Sequence, residues 1–275
     1  MCKYTIQILG AEMNSGNTDA LTGHNIVAGY SDAPVLRNVS VDIPKNMVTA
    51  IIGPNGSGKS TLLKVLGRQL SRSSGVVKLG DVKLENFSSR DFARMVSYLP
   101  QRPTVSEGLT VRDLISFGRY PYTGIFANLS HEDYLAVEDA AEQTGIAELL
   151  DQDATNLSGG QQQRVWIAMA IAQQASTLLL DEPTTYLDPA FQLSTLDLVK
   201  KLHHEGHTVV MVLHDITQAA RYANYVIAMK DGVVVRAGNT ADVLTKELVK
   251  DVFAVNCLLL EDPATGRKLP VPYSL

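Results

Sequence analysis

Gly53-Pro54-Asn55-Gly56-Ser57-Gly58-Lys59-Ser60 fits the pattern G-x-x-x-x-G-K-[ST]. Its glycines let backbone N–H groups curl around phosphate oxygens, and a helix opening there adds the positive end of its dipole. Lys59 would reach the β- and γ-phosphates, Ser60 would ligate Mg²⁺, and Thr61 continues the same turn. Further on, Thr177 to Leu180 is an apolar run that ends in Asp181 and Glu182. Asp181 is placed to hold the Mg²⁺ shell, and Glu182 to polarise a water attacking the γ-phosphate. A third group, Leu157-Ser158-Gly159-Gly160-Gln161, ends 20 residues before Asp181. A serine and two glycines opening a helix make a second anion-binding terminus. One nucleotide rarely needs two such termini from one chain, so this one is expected to complete the site of a second copy.

These groups need a scaffold. Met47 to Ile52 is short, apolar and β-branched, as a buried parallel strand should be, and it leads directly into the glycine-rich loop. Strands are also predicted over 35–43, 76–84, 95–99, 177–180, 208–213 and 225–229. Helices are predicted over 61–70, 87–94, 160–174, 189–204, 216–222, 240–244 and 246–253. The alternation breaks between Ser106 and Asp153, where helical spacing returns around Leu114, Tyr134 to Thr144 and Ile146 to Leu150. That segment reads as a helical insertion with a loop from Gly118 to Leu129. Residues 1–20 read as a loose extension, and 256–275 as a tail with a possible hairpin across Asp262 to Gly266. No internal repeat is visible.

Composition narrows the class. The 275 residues are 45% hydrophobic and 19% charged, which is globular. A net charge of −5 argues against a protein that coats nucleic acid, and no nucleic-acid partner is expected. Cys2 and Cys257 stand far apart, with no disulfide framework or zinc spacing, as in a reducing cytoplasm. The longest stretch without Asp, Glu, Lys, Arg or His runs 16 residues, Val165 to Leu180. That falls short of the ~20 needed to span a bilayer, so a membrane role would come through a partner.

Taken together, the three groups resemble the ATP-binding-cassette (ABC) ATPases over about residues 21–255, with a helical subdomain at about 106–155. The resemblance implies an α/β fold: a P-loop NTPase core with an antiparallel β-subdomain and an inserted helical subdomain. Gln101 follows the strand Val96 to Pro100 and matches the family's Q-loop. Tyr186-Leu187-Asp188 matches the D-loop, His214 the switch histidine, and Tyr30, 29 residues before Lys59, the aromatic that stacks on adenine. By that resemblance Gln101 contacts Mg²⁺ or the attacking water. His214 bonds the γ-phosphate, and Asp188 communicates across a dimer. Ser158 and Gly160, with Gly159 and Gln161, close over ATP held by the other copy. Two copies would sandwich two ATP molecules, and closure would be passed to a separate permease.

More local phrases look like the ATPases of bacterial iron(III)-siderophore importers, the group that also serves haem and cobalamin. They are Ser116-Phe-Gly-Arg119-Tyr120-Pro121-Tyr122, Gln161-Gln-Gln-Arg164-Val-Trp166, Asp181 to Asp188 and Val210 to Ala223. That likeness implies a peripheral subunit on the cytoplasmic face of the membrane. Its partners would be transmembrane permease subunits and, indirectly, an extracytoplasmic substrate-binding protein. A haem or cobalamin importer, an exporter subunit and a soluble assembly ATPase are the alternatives. Ser31, Asn46 and Ile216-Thr217 depart from the usual pattern, and Asn46 is expected to keep its turn because Asn tolerates the left-handed region. Tyr120, Tyr122 and Phe126 suggest a docking surface, whereas His203, His204 and His207 read as a solvated loop rather than a zinc site.

Overall fold

The computed structural model describes residues 19–31, 33–101, 107–123 and 128–275. Phe126 and residues 1–18 of the expected extension lie outside them; Asp19 and Ala20 already belong to the first strand. In chain order the first half holds β1 (Asp19–Ala28), β2 (Leu36–Pro44), β3 (Val48–Ile52), α1 (Lys59–Leu66), β4 (Ser74–Leu79), β5 (Val82–Lys83), α2 (Ser89–Met95) and β6 (Val96–Leu99). The insertion follows as α3 (Val111–Ser116), α4 (Tyr120–Thr123) and α5 (His131–Gln143). Then come α6 (Gly159–Ala172), β7 (Thr177–Leu180), α7 (Pro189–His204), β8 (Thr208–Val212) and α8 (Ile216–Tyr222). The chain continues with β9 (Tyr225–Lys230), β10 (Val233–Asn239), α9 (Thr240–Val243), α10 (Lys246–Phe253), β11 (Asn256–Glu261) and β12 (Lys268–Ser274).

The central sheet runs β10-β9-β3-β8-β7-β6 and is parallel except for β10. Strands β3, β7 and β8 are buried along their whole length, which is why they read as continuous apolar runs. The two-residue period of a strand divides them between two cores. Ala50, Ile52, Leu178 and Leu180 pack with the helical insertion and α6 to α8, while Ile51, Leu179, Val210 and Val212 pack with α1 and the second sheet. That second sheet is antiparallel, in the order β2-β1-β4-β5. Its β2 alternates buried and exposed residues with one slip at Asn38, which adopts φ 56°. Asn46 stands at φ 52°, so the turn before β3 does use the left-handed region.

The two longer helices of the insertion carry their own start signals. Thr110 and Asp113 form a capping box on α3, as do Ser130 and Asp133 on α5. The expected loop over Gly118 to Leu129 is corrected in its first part: Phe117–Arg119 forms a 3₁₀ turn that runs into the single turn of α4. The reason is Arg119. Its guanidinium is buried and pairs with Asp133 at 2.8 Å, while also donating to Ala172 O at 2.7 Å and Gln174 Oε1 at 2.9 Å. A chain anchored that deeply cannot loop outward there.

Strands β11 and β12 form a hairpin that lies along α8. Cys257 and Leu269 enter the core, and Thr217 Oγ1 donates to Pro270 O at 3.1 Å. Arg267 caps the end of α8, donating to the carbonyls of Ala220, Arg221 and Ala223. Arg221 and Asp262 add an ion pair at 3.0 Å. No helix among the described residues is long and apolar enough to cross a membrane.

Candidate functional site

Four neighbouring parallel strands, β3, β8, β7 and β6, deliver their carboxyl ends to one edge of the central sheet. From these ends come the glycine-rich loop, His214, the Asp181-Glu182 pair and Gln101. Ligands in open α/β sheets bind at this edge. A cavity of about 560 Å³ opens here, lined by Tyr30, Asn55, Gly56, Gly58, Lys59, Ser60, Thr61, Gln101, Glu182 and His214 among others.

The loop has the form of an anion cradle. Gly56 and Gly58 adopt φ +79° and +96°, and a side chain at Gly56 would meet nothing within 4 Å. Gly58 is the residue before α1 and supplies no side-chain cap. The first N–H groups of a helix have no intrahelical partner, so those of Lys59, Ser60 and Thr61 remain available to an anion. Ser57 Oγ is buried with no hydrogen-bond partner, a second donor held ready. Lys59 Nζ donates to Gly53 O at 2.9 Å and Pro54 O at 3.0 Å, folding the lysine over the loop. Burial pulls the Lys59 ammonium below its ordinary pKa, against the opposing pull of Glu182 and Asp181. These features fit a polyphosphate.

The carboxylates divide the work. Asp181 is buried, accepting from Ser60 Oγ at 2.7 Å and from Tyr98 Oη at 3.3 Å. Burial raises its pKa above the usual carboxylate range, Glu182 adds to the rise, and the Ser60 bond opposes it. A dication beside Ser60 and Asp181 would favour the ionised form, and two hard oxygens suit Mg²⁺. Glu182 instead faces the cavity. His214 Nε2 approaches its Oε1 at 2.6 Å, while Gln101 Nε2 and Thr185 Oγ1 donate to Oε2, the latter at 3.1 Å. Its backbone sits at φ 55°, a strained conformation for glutamate that aims the carboxylate between Gln101 and His214.

Other expected residues stand elsewhere. Ser158 and Gly159 are exposed at the start of α6 and do not line the cavity, nor do Gly160 and Gln161. Ser158 and Gln161 cap α6 reciprocally, so both have a structural task within the chain. Asp188 caps α7 by accepting from Phe191 N at 3.0 Å. Tyr30 stands at the cavity rim, 61% exposed, with Lys64 Nζ 3.1 Å from its hydroxyl and 5.3 Å from its ring centre. Sequence reasoning missed Tyr98, Thr185 and Lys64. Single hydroxyls and amines carry no spacing signal, although Tyr98, on the strand that leads into Gln101, could have drawn attention.

Other residues singled out in the sequence lie away from the cavity. Trp166 is buried in the helical core with Leu114, Ala154 and Leu157. The guanidiniums of Arg94 and Arg119 lie 5.2 and 4.0 Å from the Tyr122 ring centre, and the Tyr122 hydroxyl donates to Gln173 O; Tyr120 is the more exposed of the two tyrosines. Among the described residues no group of three His, Cys, Asp or Glu side chains could hold a metal ion. His207 Nδ1 instead lies 3.0 Å from Ala175 O.

Residues 36–185 match the family model described as ABC transporter. The chain is 42% identical over 264 residues to the iron(3+)-hydroxamate import ATP-binding protein FhuC of Bacillus subtilis (strain 168), covering 96% of each. It is also 42% identical over 253 residues to the ferric enterobactin transport ATP-binding protein FepC of Escherichia coli (strain K12), covering 92% of this chain and 93% of that one. Among solved structures it matches an inward-facing conformation described as a metal-chelate type ABC transporter, with TM-score 0.80 at 27% identity over 94% of this chain and 98% of that one. The dimeric structure of MJ0796, a bacterial ABC transporter cassette, matches with TM-score 0.71 at 29% identity, covering 80% and 98%.

Proposed function

The chain belongs to the ABC transporter ATPases, and we propose that it powers uptake of an iron(III)-siderophore through a separate membrane permease. It is an ATP-hydrolysing subunit that works as a pair. The observation that carries the reading is the convergence of Lys59, Ser60, Glu182, Gln101 and His214 on one cavity while Ser158 and Gly159 stand exposed outside it. Siderophore is the cargo class because relatives of equal identity are named for a hydroxamate and for enterobactin, two different iron chelates. An extracytoplasmic binding protein would deliver the chelate to the permease.

Lys59, the loop amides and the Ser57 hydroxyl hold the phosphates. Tyr30 takes the adenine face. Ser60 and Asp181, with Gln101, would hold Mg²⁺, which would neutralise phosphate charge. Glu182 accepts a proton from the attacking water, held in line by Gln101 and His214. Ser158, Gly159 and the α6 dipole stabilise charge on the nucleotide of the opposite copy. Asp188, on the adjoining turn, faces that copy as well.

Affinity purification of the tagged chain from detergent-solubilised membranes tests the transport reading. A polytopic permease and iron-chelate uptake lost on deletion are the expected results. Recovery from the soluble fraction alone, with uptake intact, would leave an ATPase without a transporter. The shared-site reading has a sharper test at Gly159, where an added Cβ meets nothing within 4 Å. An acid in the first turn of α6 favours the chain alone by about 0.3–1 kcal/mol. It also sets a negative charge against the partner's phosphates. Gly159→Asp is therefore expected to keep or raise the melting temperature while cutting hydrolysis by about 100-fold or more. Near-normal hydrolysis would place Gly159 outside the shared site.

A further inference from the structure

The two adjacent glycines of the α6 start have different reasons to be glycine. Gly159 borders open space. At Gly160 a side chain would collide with Phe191: its Cγ and Cδ1 lie 2.9 Å from where a Cβ would sit, and its Cδ2 3.0 Å. Three ring atoms at nearly equal distance mean that the ring lies flat on the Gly160 backbone. Phe191 is half-buried and belongs to the first turn of α7. Its own N–H donates to Asp188 Oδ1 at 3.0 Å. Arg164, one turn along α6 from Gly160, places its guanidinium 5.0 Å from the same ring centre. The loop closes through Ser194: Arg164 Nη2 donates to Ser194 Oγ at 3.3 Å, and Ser194 Oγ donates to Phe191 O at 3.0 Å.

We propose that Phe191 is a positioning residue that locks the start of α6 to the start of α7, so that Ser158–Gly159 and Asp188 meet the opposite copy as one rigid surface. This rests on the shared-site reading given above. Phe191 touches neither nucleotide nor reacting atoms; it acts through the Gly160 backbone and the Asp188 cap. Gln192 extends the same clamp. Its side chain donates to Leu187 O at 3.0 Å and accepts from Gln218 at 2.8 Å, and Gln218 in turn accepts from Thr184, two residues after Glu182. The partner-facing surface is thereby tied to the carboxylate that works on the chain's own nucleotide.

The test uses the full chain carrying Glu182→Gln, which removes turnover, and measures dimer formation by sedimentation in Mg·ATP. Single-copy nucleotide affinity is measured separately with a fluorescent ATP analogue at low protein concentration. Adding Phe191→Ala is expected to weaken the dimer at least tenfold while leaving single-copy affinity within about twofold. Phe191→Tyr, which keeps a flat ring, is expected to restore the dimer. Should Phe191→Ala fail to fold, Gly160→Ala displaces the ring instead, and Gly160→Ala with Phe191→Leu is expected to recover part of the lost dimer. Equal dimerisation with and without the ring would overturn the proposal, as would equal losses in Phe191→Ala and Phe191→Tyr. If the Glu182→Gln parent itself stays monomeric in Mg·ATP, the shared-site reading falls, and this inference with it.

Discussion

Glu182→Gln is expected to bind ATP with near-normal affinity and to hydrolyse it about 10²- to 10⁴-fold more slowly, the range that a positioned general base contributes. The substitution keeps the shape of the side chain and removes its basicity. It also breaks the acceptor pattern. In the wild-type chain both carboxylate oxygens accept, one from His214 and the other from Gln101 and Thr185. An amide replaces one of the two acceptor oxygens by an NH2 donor, so at least one neighbour must reverse its hydrogen-bond role or turn away. Phosphate binding should be spared because Lys59 is held by Gly53 and Pro54 carbonyls and not by Glu182. Equilibrium binding and steady-state turnover, measured on the same preparation, separate the two effects. Turnover at the wild-type rate would remove Glu182 from the base role and shift attention to His214.

The largest expected loss of stability lies far from the nucleotide. Arg119 and Asp133 are both about 5% exposed and pair at 2.8 Å. Removing one member of such a pair leaves a buried charge uncompensated, at a cost of about 3–5 kcal/mol. For a chain of this size Arg119→Met should lower the melting temperature by roughly 10 °C, at about 2–4 °C per kcal/mol. The pH dependence has a definite sign. Burial alone would raise the Asp133 pKa, but the Ser130 hydroxyl, Arg119 and the Ser130 amide together hold it below the ordinary carboxylate value. A depressed carboxylate adds stability above its unfolded pKa of about 4 and loses it as pH falls through the folded value. The gap between Arg119→Met and the wild type should therefore be widest near neutrality and shrink below about pH 4. Thermal melts at both pH values check this, and a gap that widened in acid would contradict the assignment.

Much of the site was legible because its parts are punctuated. A short apolar run followed by glycines, or by two acids, announces a strand end, and strand ends are where a parallel sheet places its chemistry. The relative order of β3, β8, β7 and β6 was not legible, since periodicity says nothing about which strand lies beside which. Gly118 to Leu129 misled because Gly and Asn are turn formers, and nothing local reveals that Arg119 is drawn inward to Asp133. Gly160 carries a further reason to be glycine that spacing could not show: the place where its Cβ would stand is filled by Phe191, some 30 residues away along the chain. The β11–β12 tail carried little signal because its role, bracing α8, depends on contacts that only the fold creates.

The side-by-side arrangement of β3, β8, β7 and β6 has a consequence for how the protein fails. Each strand brings one working part, and each is hydrogen-bonded to the next. Freeing any one of them would expose its neighbours, so the four should share a single opening free energy close to that of global unfolding. Amide hydrogen exchange over residues 48–52, 177–180 and 208–212, and at the amides of 96–99 that bond to β7, should accordingly be uniformly slow. In a urea titration ATPase activity should vanish together with the tertiary signal, rather than fading ahead of it as it does where a site is built on frayed loops.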